Sequence, residues 1–543
     1  MSARLMILGL DGASWRLTQK MVADGRMPNL GRFLAEGACG PLYSTVPDVS
    51  PTAWASFMSG KNPGQHGVYG FGMKVPGSYF LEPFSSRGRI PVQSLWGLLS
   101  AKGKRVAVIN VPMTYPPEPV NGIMISGFGT PDETSNRFVH PPEVMDELRQ
   151  KIGPYILDVH WNQYESKGIP ALLEANRQMT QRRTEYGLHI LKQEAWELFM
   201  LAYVSTDRLQ HCLWQYLEPL QPLSPEQQAT RKMVLDYYDF LDDCLGQLMA
   251  ASPDSDVMIM SDHGFGHCTA GMHLNTWLAE QGYLTWNLAN DKRNRLKPLI
   301  AIAKALGLNR KNFGKIAKTL GMDEFRYLEK ASHRSNNMDW TKTRAFSYTP
   351  SGIYLNLKGR ERNGTVEPGA EAERLMDEIK ERLENVRDPQ TGQRIIQRVV
   401  RGHEAYSGSR VNLGPDLLIK DSDPRYAIDF NLQRTPEVFG RSSWRTGNHE
   451  PEGLVLAYGP NVAPRRRIQR ADLIDLCPTA LHMLGEPVPD DVDGRVITEM
   501  LADSNREVSV EAAELQPVDA GTVMSADEQA QVFERLKGLG YIE

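Results

Sequence analysis

Short, uninterrupted apolar runs alternate along the first half of the chain with longer segments whose apolar residues recur at helical spacing. The runs fall at 4–10, 105–110, 197–204 and 257–260. A run of this length without polar alternation predicts a strand buried on both faces, as in a parallel sheet between helical layers. The intervening pattern predicts helices through 30–35, over 52–58, 91–102 and 170–194, and a long amphipathic one over 225–251. Pro225 stands at the start of the last, where a missing N–H costs least. This alternation predicts an α/β fold with a mostly parallel central sheet and helices on both faces.

The pattern changes between 287 and 335. From Lys292 to Gly321 there are nine Lys or Arg and no Asp or Glu, interleaved with Leu299, Ile302, Leu306, Phe313 and Ile316. This predicts two basic amphipathic helices inserted into the α/β frame. They are readable as a solvated pair packed on the domain, as a lid over an anionic substrate, or as a weak contact with a membrane surface. Strand signals resume at 343–348 and 352–357, and a helix is predicted over 371–386. The expected organisation is therefore a first part of the core at 1–286, a basic helical insertion at 287–335, a second part of the core at 336–502, and a polar linker with a C-terminal helix at 503–543. That terminal helix is a candidate oligomer contact.

Composition narrows the class. Apolar residues make up 41 % of the 543, enough for a sizeable core, and the formal charge of -5 indicates no nucleic-acid partner. Five widely separated cysteines with no CxxC pair argue against a disulfide framework. Neither a cleavable leader nor a run of membrane-spanning length is evident, so a soluble, cytoplasmic protein is expected.

The candidate chemistry lies where the predicted strands end. Asp11 closes the first run and Asp262-His263 follows the run at 257–260; Asp207 and His211 are spaced i, i+4, one face of a helix. Open α/β sheets bind ligands at the carboxyl ends of their strands, and carboxylate with imidazole suits a divalent cation. Ser50 precedes the predicted helix at 52–58, so its hydroxyl is set near the positive end of a helix dipole. His66, in the loop Pro63-Gly64-Gln65-His66-Gly67, is expected to fix that loop by hydrogen bonds. His267 and His273 are read as structural or surface histidines.

These motifs, in this order, resemble the alkaline phosphatase superfamily, specifically its type I phosphodiesterase / nucleotide pyrophosphatase branch, and a bacterial and archaeal group of predicted phosphohydrolases within it. The resemblance runs over most of residues 4 to 500. It rests on Asp11, on Ser50 ten residues before Gly60, on Pro63 to Gly67, on Asp207 to His211, on Asp262-His263-Gly264 and on Gly447-Asn448-His449. It implies two divalent ions, and mixed Asp and His ligation suits zinc, with manganese as the alternative. One would be held by Asp207, His211 and His449, the other by Asp11, Asp262, His263 and Ser50. It further implies that Ser50 is the nucleophile and passes through a covalent phosphoserine intermediate.

One position departs from the branch. Five residues after His66, where an Asn is usual, stands Phe71. The non-bridging phosphate oxygen must then be held otherwise, with the backbone N–H after Ser50, Lys61 and Asn110 as candidates and Phe71 as an apolar wall. The expected activity is hydrolysis of a small phosphate ester, a diester first. The alternatives are a phosphomonoesterase or phosphomutase on the same core, and a non-catalytic metal-bound protein that docks on anionic surfaces. A sulfatase is disfavoured, because Ser50-Pro51-Thr52-Ala53-Trp54 lacks the Cys/Ser-x-Pro-x-Arg pattern.

Overall fold

The computed structural model describes residues 3–513, apart from 75–76, 80, 84–89, 91, 160, 162–165, 288–336, 431 and 441–444, together with 524–538. The predicted basic helices at 292–321 lie outside the described residues.

A ten-stranded sheet runs through the molecule. At its centre Asp256–Met260, Ala3–Leu10, Trp196–Tyr203, Val106–Val111 and Gly122–Ser126 lie side by side and parallel. Glu452–Tyr458 inserts antiparallel between Asp256–Met260 and Ala38–Tyr43, and Val139–His140 closes the other edge antiparallel. The apolar runs are buried on both faces, as their lack of alternation requires. Alternate residues of a strand enter opposite layers: Met6, Leu8 and Leu10 join one core, Leu5 and Ile7 the other. Phe199, Leu201 and Tyr203 follow the first set, and Leu198, Met200 and Ala202 the second.

Helices Trp15–Ala23, Pro28–Glu36, Ile169–Leu191 and Pro225–Ala250 cover the first face. Helices Ser50–Ser59, Leu95–Ala101 and Leu476–Met483 cover the second. The helix expected over 91–102 begins only at Leu95, because Ser94 caps it by accepting a hydrogen bond from the Gly97 N–H. Helix Ser50–Ser59 is buried along its whole length, and it approaches the first strand closely over Gly9. A Cβ at Gly9 would come within 2.7 Å of the Trp54 ring, so only glycine admits the helix at this depth.

The stretch expected to form the second part of the core divides in two. Ala345–Thr349, Gly352–Leu355, Leu417–Ser422 and Ile396–Arg401 make a separate antiparallel sheet, which packs with helix Ala370–Glu384 around its own apolar cluster. The chain returns to the central sheet only at Glu452–Tyr458. The segment at 503–543, expected to open as a polar linker, also contains a strand, Val510–Glu511, paired with Val488–Pro489. Helix Ala526–Gly538 buries Val532 and Leu536 in the chain's own core, so that apolar face is already covered within the chain. Among the described residues no helix is long and apolar enough to cross a membrane, and all five cysteines are free.

Candidate active site

Three neighbouring parallel strands deliver the acidic residues. Asp11 follows Leu10, Asp262 lies two residues past Met260, and Asp207 lies in the first turn of helix Ser205–Leu217, just beyond Tyr203. The parallel register of these strands brings their carboxyl ends to one edge of the sheet. His449 arrives from elsewhere. It lies on strand Gly447–Glu450, which pairs antiparallel with Gly264–His267, so that His449 stands opposite Phe265.

Two groups of ligand atoms result: Asp207, His211 and His449 in one, and Asp11, Asp262 and His263 in the other, with the atoms of each group within 4.8 Å of one another. His449 Nε2 lies 3.2 Å from Asp207 Oδ1 and 3.2 Å from His211 Nε2. His263 Nε2 lies 3.3 Å from Asp262 Oδ2 and 3.7 Å from Asp11 Oδ1. Ser50 Oγ is 3.4 Å from the same His263 nitrogen, so the serine borders the second group.

The far sides of the ligands are fixed. His449 Nδ1 is 2.9 Å from the Asp48 carbonyl and His263 Nδ1 is 3.0 Å from the Gly264 carbonyl, which turns Nε2 of each ring toward the centre. The Trp54 indole donates to Asp11 Oδ2 at 3.3 Å, and the Gly12 N–H donates to Asp262 Oδ1 at 3.0 Å. Gly12 has φ of +74°, and a Cβ there would meet the Phe265 ring at 2.9 Å. A side chain at this turn would disturb both carboxylate and ring.

The remaining oxygens, Asp11 Oδ1 and Asp262 Oδ2, are buried with no hydrogen-bond donor among the described residues. Burial and the neighbouring Asp262 and Asp207 carboxylates push Asp11 well above the ordinary carboxylate range. Burial likewise lifts Asp262 to about 7, with Asp207 adding to the rise. Burial also acts to raise Asp207, but His211, His449 and Arg208 outweigh it and hold it well below. Desolvation lowers His211, and lowers His449 to about 3, which favours the neutral ring with a lone pair to donate. Buried acids that repel one another, with two oxygens lacking donors, are what a bound cation would relieve. The residues present therefore fit two divalent ions.

The candidates for holding a phosphate oxygen fare differently. The residue after Ser50 is Pro51, which has no N–H to offer; the next amide is that of Thr52. Lys61 lies beyond the opposite end of the ten-residue helix that Ser50 begins, about 15 Å along its axis, and its amine pairs with Asp491. The Asn110 amide donates to the Ala202 carbonyl at 2.9 Å and accepts from the Tyr155 hydroxyl at 3.0 Å, so both its ends are engaged. Phe71 is buried edge-on against Phe128, ring centroids 6.4 Å apart.

His66 is buried between Ser56 Oγ at 2.8 Å and the Val68 N–H at 3.1 Å, and so ties the loop to the helix of Ser50. His273 pairs with Asp429 at 2.9 Å, and neither it nor His267 belongs to a ligand group. Sequence reasoning passed over Trp54, Arg208 and Asp158. Trp54 and Arg208 stand inside recognised motifs, where their position was the available signal; nothing in the sequence singles out Asp158.

An α/β sheet gathers six Asp and His side chains able to hold metal ions, and a helix-borne serine, at its strand ends, the arrangement of the metal-dependent phosphoric ester hydrolases of the alkaline phosphatase superfamily. The family model for type I phosphodiesterase / nucleotide pyrophosphatase matches residues 5–452, and the chain belongs to that family. No curated protein matches the chain.

Proposed function

We propose that the protein hydrolyses a small phosphodiester in two displacements at Ser50, with a divalent ion in each ligand group. The observation that carries this reading is the meeting of two three-residue ligand groups beside one buried serine hydroxyl. When bound, the two ions supply Lewis-acid stabilisation of the attacking and leaving oxygens of an in-line displacement. Mixed Asp and His donors suit zinc, with manganese next.

The chain's own residues set the geometry. Ser50 opens a ten-residue helix, so an anion at its hydroxyl lies at the positive end of the helix dipole. Its Oγ attacks phosphorus, its proton passes to solvent, and the bond to the departing ester oxygen breaks. Water then attacks the phosphoserine, the Oγ–phosphorus bond breaks, and Ser50 is reprotonated. Trp54, on the same helix as Ser50, donates to Asp11 at the end of the first strand, so nucleophile and ligand keep their spacing.

A diester carries one negative charge and a monoester close to two. Among the described residues the ligand groups number two, and Lys61 is paired away from the serine, which favours the less anionic substrate. The test compares bis-p-nitrophenyl phosphate with p-nitrophenyl phosphate on zinc- or manganese-loaded protein. The expected result is a higher kcat/KM for the diester. A tenfold or greater preference for the monoester would replace this reading with a phosphomonoesterase.

A further inference from the structure

Beside the ligand group of Asp207, His211 and His449 lies a buried charge pair that the reaction scheme leaves unused. The Arg208 guanidinium grips Asp158 with two parallel bonds, Nε to Oδ1 and Nη2 to Oδ2, each 2.9 Å. Its third nitrogen, Nη1, donates to Asp207 Oδ2. The side chains of Asp158 and Asp207 are fully buried and that of Arg208 is 6 % exposed. The Phe128 ring lies against the guanidinium, 5.2 Å from its central carbon.

We propose that Arg208, held by Asp158, is a positioning residue that makes Asp207 a one-oxygen ligand. This rests on the two-ion reading above. Asp207 has two oxygens with separate surroundings: Oδ2 takes the Arg208 bond, whereas Oδ1 faces His211 Nε2 at 3.3 Å and His449 Nε2 at 3.2 Å. A carboxylate free to rotate would offer either oxygen or both; the Arg208 bond leaves only Oδ1 for the ion. A fork with parallel bonds fixes direction as well as distance. Asp158 has a second effect. It balances the arginine's charge, so Arg208 does not present a free cation to an anionic substrate. The segment that carries Asp158 is anchored in turn by the buried Arg183, whose Nη2 donates to the Leu157 carbonyl at 2.9 Å and the Ile156 carbonyl at 3.3 Å.

The test is a zinc titration of the full-length, metal-stripped chain by calorimetry, with cobalt(II) absorption as a second reading of ligand geometry. Arg208→Lys cannot form the fork, and Asp158→Asn weakens it. The double change Arg208→Met with Asp158→Leu removes both charges of the pair at once, and circular dichroism of each variant checks that the fold is retained. Outer partners of metal ligands typically contribute 10–100-fold in affinity. Each variant should lose roughly that factor at one of two sites and keep the affinity of the other. Saturating zinc should restore most of kcat with KM near wild type. Unchanged zinc affinity with a raised KM would make Arg208 a substrate contact and overturn the proposal. Wild-type protein that takes up no zinc would overturn the two-ion reading and this proposal with it.

Discussion

The imidazoles of His263 and His449 stack with centroids 3.7 Å apart and planes at 22°. Each ring belongs to a different ligand group, so the stack makes the two groups adjoining halves of one centre. The two histidines are far apart in sequence, and the pairing of Gly264–His267 with Gly447–Glu450 brings them into contact. A change that loosens this pairing should therefore affect both groups together.

Ser50→Ala is predicted to lower kcat roughly 10³-fold or more, as expected when a covalent nucleophile is lost, while most of the bound metal remains. Ser50→Thr should keep measurable turnover, because it retains a hydroxyl at the same helix start. Steady-state kinetics with metal analysis of the same preparations checks both. Near wild-type kcat in Ser50→Ala would move the role elsewhere; Thr52, whose buried hydroxyl has no hydrogen-bond partner, would be examined next.

Trp54→Phe keeps most of the packing over Gly9 but removes the donor to Asp11 Oδ2. Leaving a buried acceptor oxygen without its donor predicts destabilisation of about 1–3 kcal/mol. Chemical denaturation of metal-stripped protein reads it directly, and a shift below about 0.5 kcal/mol would show that the indole contributes little there.

The central strands were legible because a strand buried on both faces has to be apolar throughout. The Asp11, Asp207 and Asp262 positions followed, since each sits where such a run stops. The second sheet was only partly legible. Ile396–Arg401 mixes buried Ile396, Val399 and Val400 with exposed Gln397 and Arg398, and so lacks the uninterrupted apolar signal. Lys61 and Asn110 looked suited to a phosphate by residue type. Their partners, Asp491 for Lys61 and Ala202 with Tyr155 for Asn110, lie far away in sequence and are set by tertiary packing alone. The Arg208–Asp158 pair was hidden for the same reason.

His66 gives the pH dependence a direction. Burial lowers it from the ordinary histidine range to about 3 in the folded protein. Below pH 6.5 the unfolded chain takes up a proton that the folded chain refuses, so stability falls as pH drops from 6.5 toward 3. The slope is about 1.4 kcal/mol per pH unit for this one group. His66→Gln should flatten that slope by roughly one proton while lowering stability at pH 7.5, because the Ser56 and Val68 bonds are disturbed. Denaturation midpoints between pH 7.5 and 4 check this; an unchanged slope in the variant would remove His66 as the source.

Everything proposed for this site requires two divalent ions in the two ligand groups on either side of the His263–His449 stack. Anomalous diffraction at the zinc edge, from crystals of protein supplied with zinc, tests it most directly. Two peaks are expected, one among Asp207, His211 and His449 and one among Asp11, Asp262 and His263, about 4 Å apart as in two-metal phosphoryl-transfer centres. A single peak, or none at these side chains in zinc-saturated crystals, would contradict it.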